Sequence, residues 1–206
     1  MIKAVIFDVD GVLLDSLESN TQFFQKLLAL FGHRGPSLDE YRSMHNLPMW
    51  EVIKKMTGLT EKKDIEPIWR RGHDPIPGTD IKPGIPADAI KVLDELSAKY
   101  KLAIVTGRIQ GSIFKDDLKA LEKYFAFAVG FEDTELHKPF PDPLLAAAKR
   151  LGLKPGECVY IGDSDTDVQA AIAAGMKIVG YKSELLEDVD AMTSTFAEIP
   201  ALVEKL

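Results

Sequence analysis

Short apolar runs punctuate this chain, and most are separated by amphipathic stretches of helical period. Ile2-Lys3-Ala4-Val5-Ile6-Phe7 comes first, rich in β-branched residues and short enough for a strand buried on both faces. From Ser16 to about Phe31 the period lengthens: Leu17, Phe24, Leu27, Leu28 and Phe31 share one helical face, which Gly32 and Gly35-Pro36 end. Further helices are predicted at about 37–45, 48–57 and 60–72, and no β-rich run interrupts residues 16–81.

After Lys82-Pro83-Gly84 the rhythm changes to helix and strand in alternation. A helix from Pro86 to Tyr100, with proline in its first turn, precedes the strand Leu102-Ala103-Ile104-Val105-Thr106. A helix at about 110–121 precedes Phe125-Ala126-Phe127-Ala128-Val129, and another at about 142–151 precedes Cys158-Val159-Tyr160-Ile161-Gly162. A last helix at about 165–174 leads to Lys177-Ile178-Val179-Gly180. Such alternation requires right-handed crossovers and a mainly parallel sheet covered on both faces. The predicted fold class is therefore α/β: a doubly wound, Rossmann-like parallel-sheet core from residues 1–15 and 82–206, with an all-helical cap domain, residues 16–81, inserted after the first strand. Because the insertion leaves directly after that strand, the cap is expected over the active edge of the sheet.

Composition narrows the partners. The chain has 206 residues, 46% hydrophobic and 28% charged, which fits a soluble core with a small accessory domain. A net charge of −7 and a pI near 5.2 argue against a nucleic-acid or anionic-membrane partner. The single cysteine, Cys158, excludes an internal disulfide and a Cys-rich zinc site, and its place in an apolar strand assigns it to the core. The N-terminus lacks the pattern of a signal peptide, and no apolar run approaches the roughly 18 residues of a membrane span. The expected compartment is the cytoplasm.

The candidate chemistry sits at the strand ends. Asp8 and Asp10 close the first strand, where a core would have no structural use for two acids one residue apart. Thr106-Gly107-Arg108 closes the second, offering a hydroxyl and glycine-exposed N–H groups. Lys138-Pro139 follows the third after a loop and supplies a point cation. Gly162-Asp163-Ser164-Asp165-Thr166-Asp167 closes the fourth with further acids. In a doubly wound sheet these ends converge. Clustered carboxylates require a cation, and an oxygen-only ligand set without His or Cys selects a hard ion such as Mg²⁺. Asp165 lies at a helix start, where an acid serves the helix terminus, and Asp15-Ser16 likewise reads as a helix entry.

The order of these motifs resembles the haloacid dehalogenase superfamily, in particular its phosphatases with a helical cap after the first motif, phosphoglycolate-phosphatase-like in architecture. Phe7-Asp8-Val9-Asp10-Gly11-Val12-Leu13-Leu14-Asp15-Ser16 matches the first motif, Thr106 the second, Lys138-Pro139 the third and Gly162-Asp163-Ser164-x-x-Asp167 the fourth. The resemblance implies a phosphoric monoester hydrolase acting on a small phosphorylated metabolite. Asp8 would be the nucleophile, giving an aspartyl-phosphate, and Asp10 the proton donor and then the base. Mg²⁺ would be held by Asp8, the backbone carbonyl of Asp10 and Asp163, with Asp167 ligating the ion or a bound water. Thr106 and Lys138 would bind phosphoryl oxygens, with N–H groups near Asp10, Gly11 and Gly107. Arg108 stands where many relatives carry a small residue; it would meet an anionic part of the substrate or pair with an acid. Polar cap residues Asn20, Arg42, His45 and Asn46 are the other specificity candidates. A phosphomutase is the alternative, lowered because Asn20 stands in the place of a histidine used by sugar-phosphate mutases, and a non-catalytic binding module on the same fold is the third possibility.

Overall fold

The computed structural model describes the whole chain except residues 46, 80 and 183–185 and the side chains of 116 and 117. It divides into two compact units, one of Met1–Asp15 with Gly84–Leu206 and one of Ser16–Pro83.

The first unit is built on β1 (Ala4–Phe7), whose every residue is buried. β2 (Lys101–Val105) pairs with it on one side and β4 (Cys158–Gly162) on the other, both parallel, with Phe7 opposite Ile104 and Ile161. β3 (Ala128–Val129), β5 (Lys177–Tyr181) and β6 (Ala191–Thr193) complete a parallel sheet in the order β3-β2-β1-β4-β5-β6. The chain moves outward from β1 through β2 and β3, then returns to the far side of β1 as β4. The strand order therefore reverses between β1 and β4, and open sheets hold their ligands at the carboxyl edge of such a point.

Alternation along β1 divides the core into two layers, since successive side chains face opposite ways. Val5 and Phe7 join α5 (Ala89–Ser97) and the C-terminal α9 (Ile199–Val203) in one apolar cluster. Ala4 and Ile6 join α7 (Asp142–Leu151) and α8 (Asp165–Ala174) in the other. Both faces are apolar, so nearly every residue of β1, β2 and β4 must be apolar too.

The second unit has its own core of Phe24, Leu27, Leu28, Tyr41, Met44, Val52, Ile53, Ile65, Ile68 and Ile76. Its helices are α1 (Leu17–Ala29), α2 (Leu38–Arg42), α3 (Met49–Thr57) and α4 (Lys62–Arg71). Ser37 caps α2 reciprocally with Glu40, and Gly58 ends α3 at φ 72°, a left-handed turn that costs a glycine least. Trp50 and Trp69 pack edge to face at 6.4 Å against this core.

Several elements differ from the sequence reading. The helix expected at about 110–121 is a short α6 (Gln110–Ile113) followed by a 3₁₀ helix over Asp116–Tyr124. Leu118 and Leu121 are three apart and fully buried, a spacing that aligns them in a 3₁₀ helix. α5 is shorter than the expected 86–100, and β3 is reduced to two residues, although Ala126 and Phe127 already exchange backbone hydrogen bonds with Leu102 and Ile104. β6 and α9 were not expected. Among the described residues no helix is long and apolar enough to cross a membrane.

Candidate active and metal site

Asp8 leaves β1 with its N–H still bonded to Ile161 O at 2.9 Å, so the sheet's pairing fixes its backbone. Its side chain is buried against Lys138, whose Nζ lies 3.1 Å from Asp8 Oδ1 and 2.6 Å from Asp167 Oδ1. Asp167 is entirely buried. Its Oδ1 also accepts from the Tyr160 hydroxyl at 3.2 Å, while Oδ2 accepts from Ser164 Oγ at 2.6 Å and from the N–H groups of Asp163 and Ser164, both at 3.2 Å. Ser164 is the N-cap of α8, and Asp167 is its partner in a capping box. One acid thus closes the helix terminus and anchors the lysine. Tyr160 adds a third support: its hydroxyl accepts from Lys138 Nζ at 3.0 Å and reaches Val105 O at 3.2 Å.

The charges explain the shifted pKa values. Burial, together with the carboxylates of Asp167, Asp163 and Asp10, pushes Asp8 up to about 8 against the pull of Lys138. Burial opposes the charge on Lys138, but Asp167 and Asp8 outweigh it and hold the ammonium above its ordinary range. Tyr160 is raised well above its usual value by burial and by the neighbouring acids, and keeps its proton.

Carboxylate oxygens of Asp8, Asp163 and Asp167 lie within 4.8 Å of one another. With Asp8 ionised, three acids and one lysine carry two negative charges at this point, the charge a divalent ion neutralises. The donor set is oxygen alone, which suits a hard cation. Gly11 makes the approach possible. At φ +84° it turns the loop after β1, and a Cβ there would fall 1.9 Å from Asp163 Oδ2. Its N–H, expected near a phosphate, donates instead to Leu14 O at 2.8 Å. These residues fit a divalent metal.

On the other flank, Asp10 is held by Arg108. Nε and Nη2 donate to Oδ2 and Oδ1, each at 2.7 Å, with both side chains 23% exposed. Thr106 is buried at the end of β2, its N–H on Val129 O at 3.0 Å, and its Oγ1 accepts the Arg108 N–H at 3.3 Å. Gly107 between them has nothing within 4 Å of a built Cβ.

The structure therefore brings Asp8, Asp10, Thr106, Gly107, Arg108, Lys138, Asp163 and Asp167 to the carboxyl edge of one sheet. Asp165 is exposed in the first turn of α8. Asn20, Arg42 and His45 belong to the helical unit. Asn20 is half-buried on α1, Arg42 is exposed at the end of α2, and His45 Nε2 lies 3.2 Å from Ser16 Oγ. Asn46 lies outside the described residues. Sequence reasoning missed Tyr160 and Ser164. A tyrosine in an otherwise aliphatic parallel strand, and Ser-x-x-Asp before a helix, were the available signals.

The haloacid dehalogenase-like hydrolase family matches residues 5–181. The chain belongs to that family. Among its curated relatives, the phosphoglycolate phosphatase of Escherichia coli strain K12 is 48% identical over 208 aligned positions, covering 87% of this chain and 81% of that one. The fructose-1-phosphate phosphatase YqaB of the same strain is 29% identical over 185 positions, covering 86% of this chain and 95% of that one. Among solved structures, a Thermotoga maritima protein assigned as a β-phosphoglucomutase superposes with a TM-score of 0.74 at 25% identity, over 100% of both chains. The haloacid dehalogenase fold is thus common to hydrolases and to a relative assigned as a mutase, and the discrimination rests on residues.

Proposed function

We propose that this chain is a Mg²⁺-dependent phosphatase of a small phosphomonoester, working through an aspartyl-phosphate on Asp8. The observation that carries the reading is Asp8 itself: a buried carboxylate at the switch point of the sheet, 3.1 Å from Lys138 and clustered with Asp163 and Asp167. Phosphoryl transfer asks a protein mainly for in-line positioning and charge neutralisation. Asp8, Asp163 and the carbonyl of Asp10 would hold a divalent cation, which would supply positive charge to the phosphoryl oxygens. Lys138 adds its own charge and lets an anionic nucleophile meet an anionic phosphate. Thr106 Oγ1 and the Gly107 N–H orient the remaining oxygens. Asp8 attacks phosphorus, the bond to the leaving oxygen breaks, and Asp10 delivers a proton to that oxygen. Asp10 then takes a proton from water, which attacks the aspartyl-phosphate, releases phosphate and restores Asp8.

We assign choice among phosphomonoesters to Arg42 and His45 of the helical unit together with Arg108. Alanine at Arg42 or His45 should lower kcat/KM for the best metabolite more than for an aryl phosphate. The central experiment is release of inorganic phosphate from p-nitrophenyl phosphate and a panel of phosphometabolites, with Mg²⁺ and with excess chelator. Metal-dependent release that vanishes in Asp8→Asn supports the reading; release undiminished in chelator overturns it. A phosphomutase is the second reading, favoured by the likeness to the Thermotoga maritima protein and disfavoured by Asn20. Isomerisation of a sugar phosphate without net phosphate release would establish it.

A further inference from the structure

Arg108 grips both carboxyl oxygens of Asp10 with a planar fork, each contact at 2.7 Å, in a position three-quarters shielded from water. The backbone that carries it is fixed. Its N–H is on Thr106 Oγ1, and its carbonyl accepts from Phe131 N at 2.8 Å, over Gly130, where a Cβ would come within 2.9 Å of that oxygen. Any rearrangement is therefore carried by the long side chain.

In the reaction proposed above, one carboxyl oxygen of Asp10 has to face the leaving oxygen. In this structure both face Arg108. The fork must open and Asp10 must take up a proton from solvent before the acid can work, and opening the fork breaks two charge-assisted hydrogen bonds. A carboxylate or phosphate group replaces Asp10 with the same bidentate geometry, whereas a neutral substituent cannot. We propose that Arg108 is a specificity residue that occupies Asp10 in the ground state and is drawn off by a second anionic group on the leaving side of the substrate. The preferred substrates are then small phosphomonoesters that also bear a carboxylate or a second phosphate. This inference deepens the phosphatase reading and rests on it.

The test compares 2-phosphoglycolate with 2-hydroxyethyl phosphate, which lacks the carboxylate, and propane-1,3-diol bisphosphate with 3-hydroxypropyl phosphate, which lacks the second phosphate. The whole chain is assayed with Mg²⁺. In at least one pair the wild type should favour the more anionic member by about ten- to a hundredfold in kcat/KM, and the pair that does so identifies the anion. Arg108→Gln should abolish that preference by slowing the anionic substrate far more than its neutral partner. Arg108→Lys should restore part of it, keeping the charge and losing the fork. No preference in the wild type, a preference that survives Arg108→Gln, or equal losses on both members of a pair would each overturn the proposal. Affinities for 3-phosphonopropionate and 3-hydroxypropylphosphonate, with a bisphosphonate as the third ligand, separate the two readings. If no phosphomonoester turns over, an Arg108-dependent affinity difference retains the anion site and refutes only the phosphatase; its absence refutes both.

Discussion

Asp8 and Asp10 leave the same strand two residues apart, and the two flanks of that strand end treat them differently. On the β4 flank, Asp8 meets a lysine that is itself bound by Asp167 and Tyr160, and Asp167 is tied to the first turn of α8. Lys138 and Asp167 each have several partners there, and Asp8 and Asp167 are buried. On the β2 flank, Asp10 is held by the fork of Arg108, with both side chains about a quarter exposed. A redundant buried network holds its geometry when one bond is lost. A partly exposed pair can exchange partners more readily than a fully buried one. The first flank suits groups that must stay in line with phosphorus, and the second suits a group that must move a proton and release a product.

The largest effect expected is on turnover. Asp8→Asn should lower kcat by about 10⁴-fold or more, because an amide is no nucleophile toward phosphorus. Asp10→Asn should cost about 10²- to 10⁴-fold, the usual worth of general acid–base help. Phosphate release under saturating substrate measures both. A higher residual rate for Asp8→Asn than for Asp10→Asn would reverse the assignment of roles.

Stability should separate the flanks next. Lys138→Met leaves two buried acids, Asp8 and Asp167, without their cation and should cost the metal-free protein about 3–5 kcal/mol. Arg108→Gln breaks a pair that is about a quarter exposed and should cost less, about 1–2 kcal/mol. Urea unfolding of the two variants at one pH decides it, and similar losses would erase the distinction drawn between the flanks.

Each flank was legible in the sequence to a different depth. Asp8, Asp10, Lys138 and Asp163 stood out because acids and a lysine at the ends of apolar runs have no use in a core. The sheet was legible for a related reason: strands covered on both faces must be continuously apolar, and those runs are hard to mistake. Tyr160 was hidden by the same rule, since an aromatic residue inside such a run reads as packing, and only its hydroxyl makes it part of the site. The Asp10–Arg108 fork joins residues 98 apart in sequence, and no local pattern encodes it. β6 and the 3₁₀ segment were missed because three weakly apolar residues and a period of three fit neither the strand nor the α-helix template.

Protons and metal compete on the β4 flank. Asp8 holds its proton up to about 8 in the folded, metal-free protein against an ordinary value of 3.8. Between those values the folded state binds more protons than the unfolded one, so metal-free stability should fall as pH rises through that window. A cation replaces the proton, and its binding should strengthen over the same range. The rise in Tm on adding saturating Mg²⁺ should therefore be larger at pH 8.5 than at pH 6. Equal rises at the two values would show that Asp8 is not the group the metal deprotonates.

The smallest effect expected comes from Tyr160→Phe, and it bears most directly on the redundancy of the buried flank. The hydroxyl accepts from Lys138 at 3.0 Å and has one proton to share between Val105 O and Asp167 Oδ1, both at 3.2 Å. Phenylalanine keeps the ring and its packing in the apolar layer and removes only this oxygen. Lys138 retains Asp167 at 2.6 Å and Asp8 at 3.1 Å, so the charge pairing survives. The loss should be about 1–2 kcal/mol in stability, set mainly by a buried carbonyl left without its donor. In catalysis the ammonium keeps its charge and loses one of its restraints, so kcat should fall about three- to tenfold with KM little changed, the pattern of a group misaligned in the transition state. A fall in Tm without any change in kcat would make Tyr160 a packing residue alone. A loss as large as that of Lys138→Met would mean that the lysine depends on this one hydroxyl, and that the β4 flank is no more redundant than the β2 flank.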